Sequence, residues 1–410
     1  MADEPLTDAD TEHSAWARLP AAARVGVVYL LARIVTTVFF LMAANLSGFE
    51  SRFGPEAGLG DLVLGWDSRW YWIIAEVGYP SQLPLTDSGV VAENQWAFMP
   101  IYPYLAKYVS LPFGGQWVVG AFLVSVAAGF GASLVLYRML RDRIDAGSSM
   151  WAVAFFAAGP LAGLFQVGYA ESLYLLWLFL ALWCVMRRRY AWLYLLIPLM
   201  AFTRPGVLAF ALFLGLFGIW RWISRRREQL AGPEIVQIVA LGLLAVLMGF
   251  SWQLLAGWVT GDSGAYLSTE LAWRRNWIPG DAAFAPFEGF LAGIEYWFGT
   301  VWSLTPPIGY VVVGASLVAL TAVLLFEPHV RRLGVELRLW SASYLVYLLL
   351  VFFPQSSIFR LLVPLSPLWG AVALPRSRLW RVGVLVAGLV GQWWWIYNMY
   401  ALGNTNLQVP

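Results

Sequence analysis

Four charged residues stand in stretches that are otherwise almost wholly apolar, and their types set out a chemistry. The first lies in Gly65-Trp66-Asp67-Ser68-Arg69-Trp70-Tyr71-Trp72, followed downstream by Ala97-Phe98-Met99-Pro100-Ile101-Tyr102-Pro103. Asp67 is hemmed by Trp66, Trp70 and Trp72, and partial desolvation raises a carboxylate's basicity, while Arg69 two positions on pulls the other way. Such a carboxylate suits a general base, with Trp66, Arg69 and Tyr71 as its immediate company in a site. The competing reading is that Asp67 only caps a helix starting at Ser68, because aspartate is a preferred N-cap. The other three are Glu171 in Gly168-Tyr169-Ala170-Glu171-Ser172, Arg204 in Phe202-Thr203-Arg204-Pro205-Gly206, and Arg360 in Ile358-Phe359-Arg360-Leu361. Two arginines beside an acid suit the holding of a phosphate and the activation of a hydroxyl. The alternative for each arginine is snorkelling to the membrane interface, and for Glu171 a salt bridge to one of them. Arg274 and Arg275, adjacent in Trp273-Arg274-Arg275-Asn276, could join the same site or grip anionic headgroups from an interfacial helix.

The elements that must position these residues follow from composition. The chain has 410 residues, 60% of them hydrophobic and 12% charged, where a soluble surface needs about 25% charged. Its solvent is therefore mainly lipid. Apolar windows recur at 24–46, 117–137, 150–166, 170–186, 190–203, 205–220, 236–257, 307–326, 338–353, 359–374 and 382–400. That pattern predicts an all-α polytopic membrane protein of about eleven spans, several shorter than the roughly 20 residues a straight helix needs. The spans form one transmembrane domain over 23–410, preceded by a cytoplasmic tail, 1–22, with five acids before Arg18, the reverse of a signal peptide's basic start. Cytoplasmic loops retain Lys and Arg, and an N-terminus inside places eighteen of the 26 basic residues in the cytoplasm against seven on the opposite face. Two long connections, 47–116 and 258–306, then fall on the outer face. Both are rich in Trp, Tyr, Pro and Gly, which predicts short juxtamembrane helices lying along the interface. Under this topology Asp67, Glu171, Arg204 and Arg360 converge on the outer ends of their elements, from four distant stretches of chain. A charge at bilayer depth costs about 3 kcal/mol, so such residues are functional candidates by default. A lipid-linked phosphosugar would supply the phosphate from within the bilayer.

Other classes lack their signatures. Net charge is +2 with no long basic run, so a nucleic-acid partner has no electrostatic footprint. The single cysteine, Cys184, excludes an internal disulfide and a cysteine-based zinc site. His13 sits in the acidic tail and His329 in a cytoplasmic loop, and no HExxH, Walker A, GxSxG or DxD motif occurs. Zincin, P-loop and α/β-hydrolase chemistry is thereby excluded, and neither a metal nor a cofactor is indicated. A transporter or lipid flippase stays as the alternative to an enzyme. It would need polar residues in the middle of broken spans, a pattern not apparent in the sequence.

WDSRWYWIIAEVGYP followed by AFMPIYP resembles the signature of PIG-V type GPI mannosyltransferases and their prokaryotic relatives, in which a tryptophan-aspartate pair precedes an "IA..GY" helix and an "AF.P.YP" segment. GYAESLYLL is similar to that family's Tyr-x-Glu-Ser segment, FTRPGVL to its Ser-Arg-x-x-Gly segment, and FRLLVPLSP to its late Arg-Tyr-type segment with a following proline. The matching order covers residues 60 to 370. The resemblance implies a GT-C fold, with transfer of mannose from a polyprenyl- or dolichyl-phosphate donor on the non-cytoplasmic face, inverting the anomeric centre. It implies that Asp67 is the base. A glycan or glycolipid is the expected acceptor, and a prokaryotic plasma membrane, with the site on its outer face, the expected place. Another GT-C enzyme with a different lipid-linked sugar is the near alternative. The sequence departs from the family's pattern at Arg69, where a neutral residue is expected, at Phe359, and across the second outer loop.

Overall fold

The computed structural model describes residues 15–278 and 283–410; His13 and most of the acidic tail lie outside the described residues. Among the described residues, the helices of eight residues or more are α1 (Ala21–Leu46), α2 (Asp67–Val77), α3 (Ile101–Ser110), α4 (Trp117–Arg141), α5 (Ala146–Ala157), α6 (Glu171–Met186), α7 (Leu193–Ala201), α8 (Val207–Ser224), α9 (Gly232–Thr260), α10 (Ala265–Arg274), α11 (Pro306–Phe326), α12 (Val335–Val351) and α13 (Arg378–Ile396). A lone antiparallel bridge joins Leu85 to Val91.

Six of these, α1, α4, α8, α9, α11 and α13 with its continuation to Leu402, are long and apolar enough to cross a bilayer. The chain is an integral, multi-pass membrane protein. Every apolar window of the sequence contains helix, but the remaining five windows hold shorter or interrupted pieces. Helix α5 stops at Ala157 because Gly159-Pro160 follows, and proline can neither donate to the helix ladder nor leave its predecessor in helical geometry. Residues 158–170 then run irregularly around a short 3-10 turn, Ala162–Phe165.

Such a break in lipid exposes carbonyls that cost several kcal/mol each unless they find a donor. Arg33, in the middle of α1, supplies it: the buried guanidinium donates Nη1 to the Ala162 carbonyl at 2.6 Å and Nη2 to that of Ala157. It also lies 5.0 Å from the Tyr29 ring and 5.3 Å from the Phe165 ring. The uninterrupted span expected over 150–166 is thus corrected to half a span and a stapled break. Broken spans exist in this fold although the sequence did not display them.

Both long connections contain short helices. The first carries Leu59–Val63, α2, the turn Gln95–Ala97 and α3; the second carries α10, Glu288–Ile294 and a π turn, Glu295–Val301. They pack on each other. Asn94 Nδ2 donates to Thr269 Oγ1 at 2.8 Å, Asn276 Nδ2 to Glu93 Oε1 at 2.6 Å, and Arg275 to the Val91 carbonyl. Trp252, near the end of α9, donates to the Trp96 carbonyl at 2.8 Å. One end of the bundle is therefore covered by a shared layer of short helices, and the candidate residues lie beneath it.

Candidate active site

The backbone aims Asp67. Trp66 has φ +58°, in a region that non-glycine residues rarely enter, at a cost of about 1–3 kcal/mol. Its indole holds it there, with Nε1 donating to the Met399 carbonyl at 2.9 Å and the Arg52 guanidinium 3.9 Å above the ring. Helix α2 then begins at Asp67 itself, with Trp66 in the cap position and no side-chain cap bond. The carboxylate does not cap a helix starting at Ser68; it turns to Arg360.

Glu171 is brought to Asp67 by a glycine. The Gly168 amide donates to the Val63 carbonyl at 3.0 Å, and the backbone there runs so close to α2 that a Cβ would stand 2.0 Å from Ser68 Oγ. Three residues on, Glu171 opens α6. Arg204 sits in the turn between α7 and α8. The Phe202 carbonyl accepts from the Ile101 amide at 3.0 Å, tying that turn to α3, and Gly206 closes it at φ +137°, where a Cβ would meet the Tyr174 hydroxyl at 2.8 Å. Arg360 comes from the short helix Ile358–Leu361, its guanidinium 5.4 Å from the Tyr169 ring.

These four side chains form an alternating chain of charges. Arg360 Nη1 lies 2.5 Å from Asp67 Oδ2 and 3.8 Å from Glu171 Oε1, and Arg204 Nη2 lies 3.3 Å from the same Glu171 oxygen. Side-chain exposure is 4% for Glu171, 11% for Arg204, 13% for Arg360 and 23% for Asp67, so Asp67 is the member that opens outward. The arginines do not snorkel; they turn inward to the acids, and Glu171 pairs with both. Asp67 Oδ1 accepts no hydrogen bond from the described residues. Arg360 Nε, Ser68 Oγ, Ser172 Oγ, Ser357 Oγ and the Tyr174 hydroxyl are buried without a partner. Such a cluster is uncommon, because about nine in ten buried polar groups are paired. What the arrangement offers chemically is a carboxylate oxygen free to take a proton, beside two guanidiniums with unused N–H donors.

The remaining candidates divide. Tyr71, buried one turn after Asp67, packs edge-on to Phe98 and Tyr102, each at 5.1 Å. Burial first, then the nearby charges of Glu171 and Asp67, push its hydroxyl well above the usual tyrosine range, so it stays protonated. Arg69 is exposed on the first turn of α2. Arg274 pairs with Glu288 at 2.5 Å and lies over the Phe353 ring, and Arg275 holds the Val91 carbonyl. Both fasten the second long connection, and neither pairs with the four charged residues. Sequence reasoning missed Glu270 on α10, whose carboxyl is pushed up to about 7 by burial, against a hydrogen bond from Tyr266 and with the Asp67 charge adding to the rise. Among the described residues no three His, Cys, Asp or Glu side chains gather to hold a metal ion.

No protein-family model matches the chain, and no curated protein matches it in sequence. Among solved structures it is similar to ArnT from Cupriavidus metallidurans bound to undecaprenyl phosphate, at 14% identity and a TM-score of 0.49 over 88% of this chain and 62% of that one. It is also similar to the Archaeoglobus fulgidus oligosaccharyltransferase in complex with zinc and sulfate, at 14% identity and a TM-score of 0.45 over 88% and 52%. AglB from the same organism, with an inhibitory peptide and a dolichol-phosphate, follows at 12% identity and 0.42 over 88% and 55%. These are GT-C glycosyltransferases, the wider class of the motif resemblance and not its PIG-V branch. The chain spans less than two thirds of the length of each.

Proposed function

We propose that the chain is an inverting glycosyltransferase that moves a sugar from a polyprenyl-phosphate donor to an acceptor hydroxyl on the non-cytoplasmic face of a prokaryotic plasma membrane. The observation that carries this reading is the free Oδ1 of Asp67 beside Arg360 and Arg204, mostly buried at one end of a membrane bundle. The eighteen-to-seven split of basic residues supports an outward-facing site. The motif resemblance favours mannose as the sugar.

In this reading the acceptor O–H gives its proton to Asp67 Oδ1 as the oxygen attacks the anomeric carbon. The bond from that carbon to the phosphate oxygen breaks, and the electron pair leaves with the polyprenyl phosphate. One displacement inverts the centre. Charge grows on the phosphate as the bond breaks, and fixed guanidiniums aimed at growing charge are worth a few kcal/mol each. Glu171, between the two arginines, sets their spacing. The test is transfer of radiolabelled mannose from polyprenyl-phosphate mannose to an extractable product by the purified protein in liposomes, with donors carrying other sugars run alongside. Transfer from a different lipid-linked sugar alone would keep the enzyme and change its donor. Movement of the lipid across the bilayer without transfer would replace the reading with a flippase.

A further inference from the structure

The end of α8 away from the four site charges borders a cavity of about 510 Å³ that the transferase reading does not use. That volume is within the ordinary range of ligand sites. The cavity is a groove between α8 and α9, apolar along its walls, with Ile219, Val239 and Leu243 exposed at its rim. Its lining runs along α8 from Ala211 to Arg221, about 15 Å at a rise of 1.5 Å per residue. That is the depth of one leaflet in a hydrocarbon core about 30 Å thick. Glycines shape it. A Cβ on Gly218 would stand 3.1 Å from Ile238 Cγ2, so the two helices meet there, whereas a Cβ on Gly215 or Gly242 would find nothing within 4 Å.

The groove ends at Trp222, in the last turn of α8, where the chain runs into Arg225-Arg226-Arg227. An exposed tryptophan at the end of a span marks the level of the lipid headgroups. Arg225 is held against it, with Nη1 donating to the Trp222 carbonyl at 2.7 Å and the guanidinium 4.1 Å from the ring. The acids close by are already used, since Glu228 pairs with Arg188 and Arg221, and Glu234 pairs with Arg221. Arg225, Arg226 and Arg227 are exposed and form no ion pair with any described residue. Three unmatched positive charges therefore stand at the headgroup end of an apolar groove one leaflet deep.

We propose that this groove binds one anionic phospholipid, with an acyl chain between α8 and α9 and the headgroup phosphate on Arg225 and its two neighbours. The proposal does not depend on the transferase reading. A guanidinium fork matches phosphate oxygens, and clusters of arginine at the membrane surface draw anionic headgroups. Small residues also let a second helix approach closely, but a second copy of this chain, lying in the membrane in the same orientation, would bring three more arginines to that level. The charges favour the lipid.

The test is native mass spectrometry of the full chain in detergent with equal amounts of dioleoyl phosphatidylglycerol and dioleoyl phosphatidylcholine, which share their acyl chains and differ in headgroup charge. The wild-type protein is expected to retain the anionic lipid about tenfold over the zwitterionic one. Changing Arg225, Arg226 and Arg227 together to Gln, on an exposed turn, should remove that preference. Gly215→Leu and Gly242→Leu, each made alone, fill the groove and leave the charges in place, so each should lose most of the anionic adduct at an unchanged melting temperature. Glycerophosphate, which carries the headgroup charge without the chains, should not compete. Equal retention of the two lipids by the wild type overturns the proposal. So does a wild-type adduct in both leucine variants, which would mean that the arginines attract headgroups without a groove. A dimer that the leucine variants split, with the lipid preference intact, would give the groove to a second copy of the chain. If neither leucine variant folds, the glutamine variant decides, and a preference that survives there overturns the proposal as well.

Discussion

Helix α8, about 27 Å long by its 18 residues and a rise of 1.5 Å, has a buried arginine near each end, and the two are treated oppositely. Arg221, in its last turn, is 1% exposed and each of its three nitrogens has a partner: Nε donates to Glu234 at 3.0 Å, Nη1 to Glu228 at 2.8 Å, and Nη2 to the Gln229 carbonyl and again to Glu234. Tyr190 adds a hydrogen bond to Glu234, and Arg188 pairs with Glu228. Arg204, just before the first turn, has one contact to Glu171 at 3.3 Å, and its neighbour Arg360 keeps an unpartnered Nε. A fully partnered ion cluster of this kind is a fastening, since its worth lies in the geometry it fixes. One with unpartnered donors keeps hydrogen-bonding capacity that a ligand can use, and of the two arginine clusters of α8 the one at Arg204 is of that kind.

The comparison breaks first at Arg360. Arg360→Gln should lower turnover by a hundredfold or more, while Arg360→Lys, which keeps charge but loses the planar fork, should lower it by about tenfold. The same order is expected at Arg204. Initial rates against donor concentration check this, and wild-type-like kinetics for all four variants would remove both arginines from the site.

The next effect is steric. A Cβ at Gly168 would stand 2.0 Å from Ser68 Oγ, so Gly168→Ala should push the start of α2 away from Glu171, and a displacement near 1 Å can cost as much as 10²-fold in rate. Adding Ser68→Gly removes the colliding atom, so the double variant should regain part of the lost turnover. A double variant no better than Gly168→Ala would mean that the close approach does not set the spacing of Asp67 and Glu171.

The smallest effect on chemistry belongs to the other end of α8. Arg221→Gln leaves Glu234 without its cation in a mostly buried place, which should cost about 3 kcal/mol of stability, read as a lower melting temperature. Turnover per folded molecule should stay within about twofold. A large loss of turnover at unchanged stability would erase the contrast between the two ends.

The spans were readable because lipid demands long apolar runs, and the four site charges stood out because an ion in such a run is costly. The break over 158–170 was hidden in an apolar stretch, GPLAGLFQVGYA, whose only cue is Gly159-Pro160. Its partner Arg33 lies more than 120 residues away, a distance that no local pattern spans. Glu270 escaped notice for the opposite reason. It lies in an amphipathic stretch, TELAWRRN, where an acid next to water costs little, and only the packing of α10 on α2 makes it unusual. Arg274 and Arg275 looked like site residues by position, but Glu288 and the Val91 carbonyl claim them. The cap reading of Asp67 came from its preferred residue type; the backbone of Trp66 moved the helix start by one residue and freed the carboxylate.

The central claim is that Asp67 takes the acceptor's proton, and Asp67→Asn tests it most directly, because the amide keeps the shape and removes the base. The measurement is transfer of radiolabelled mannose from polyprenyl-phosphate mannose by wild type and variant, at matched amounts of folded protein in liposomes. The account predicts transfer by the wild type and a fall of about a hundredfold or more in the variant, with its melting temperature little changed. Near-normal transfer by Asp67→Asn would contradict it.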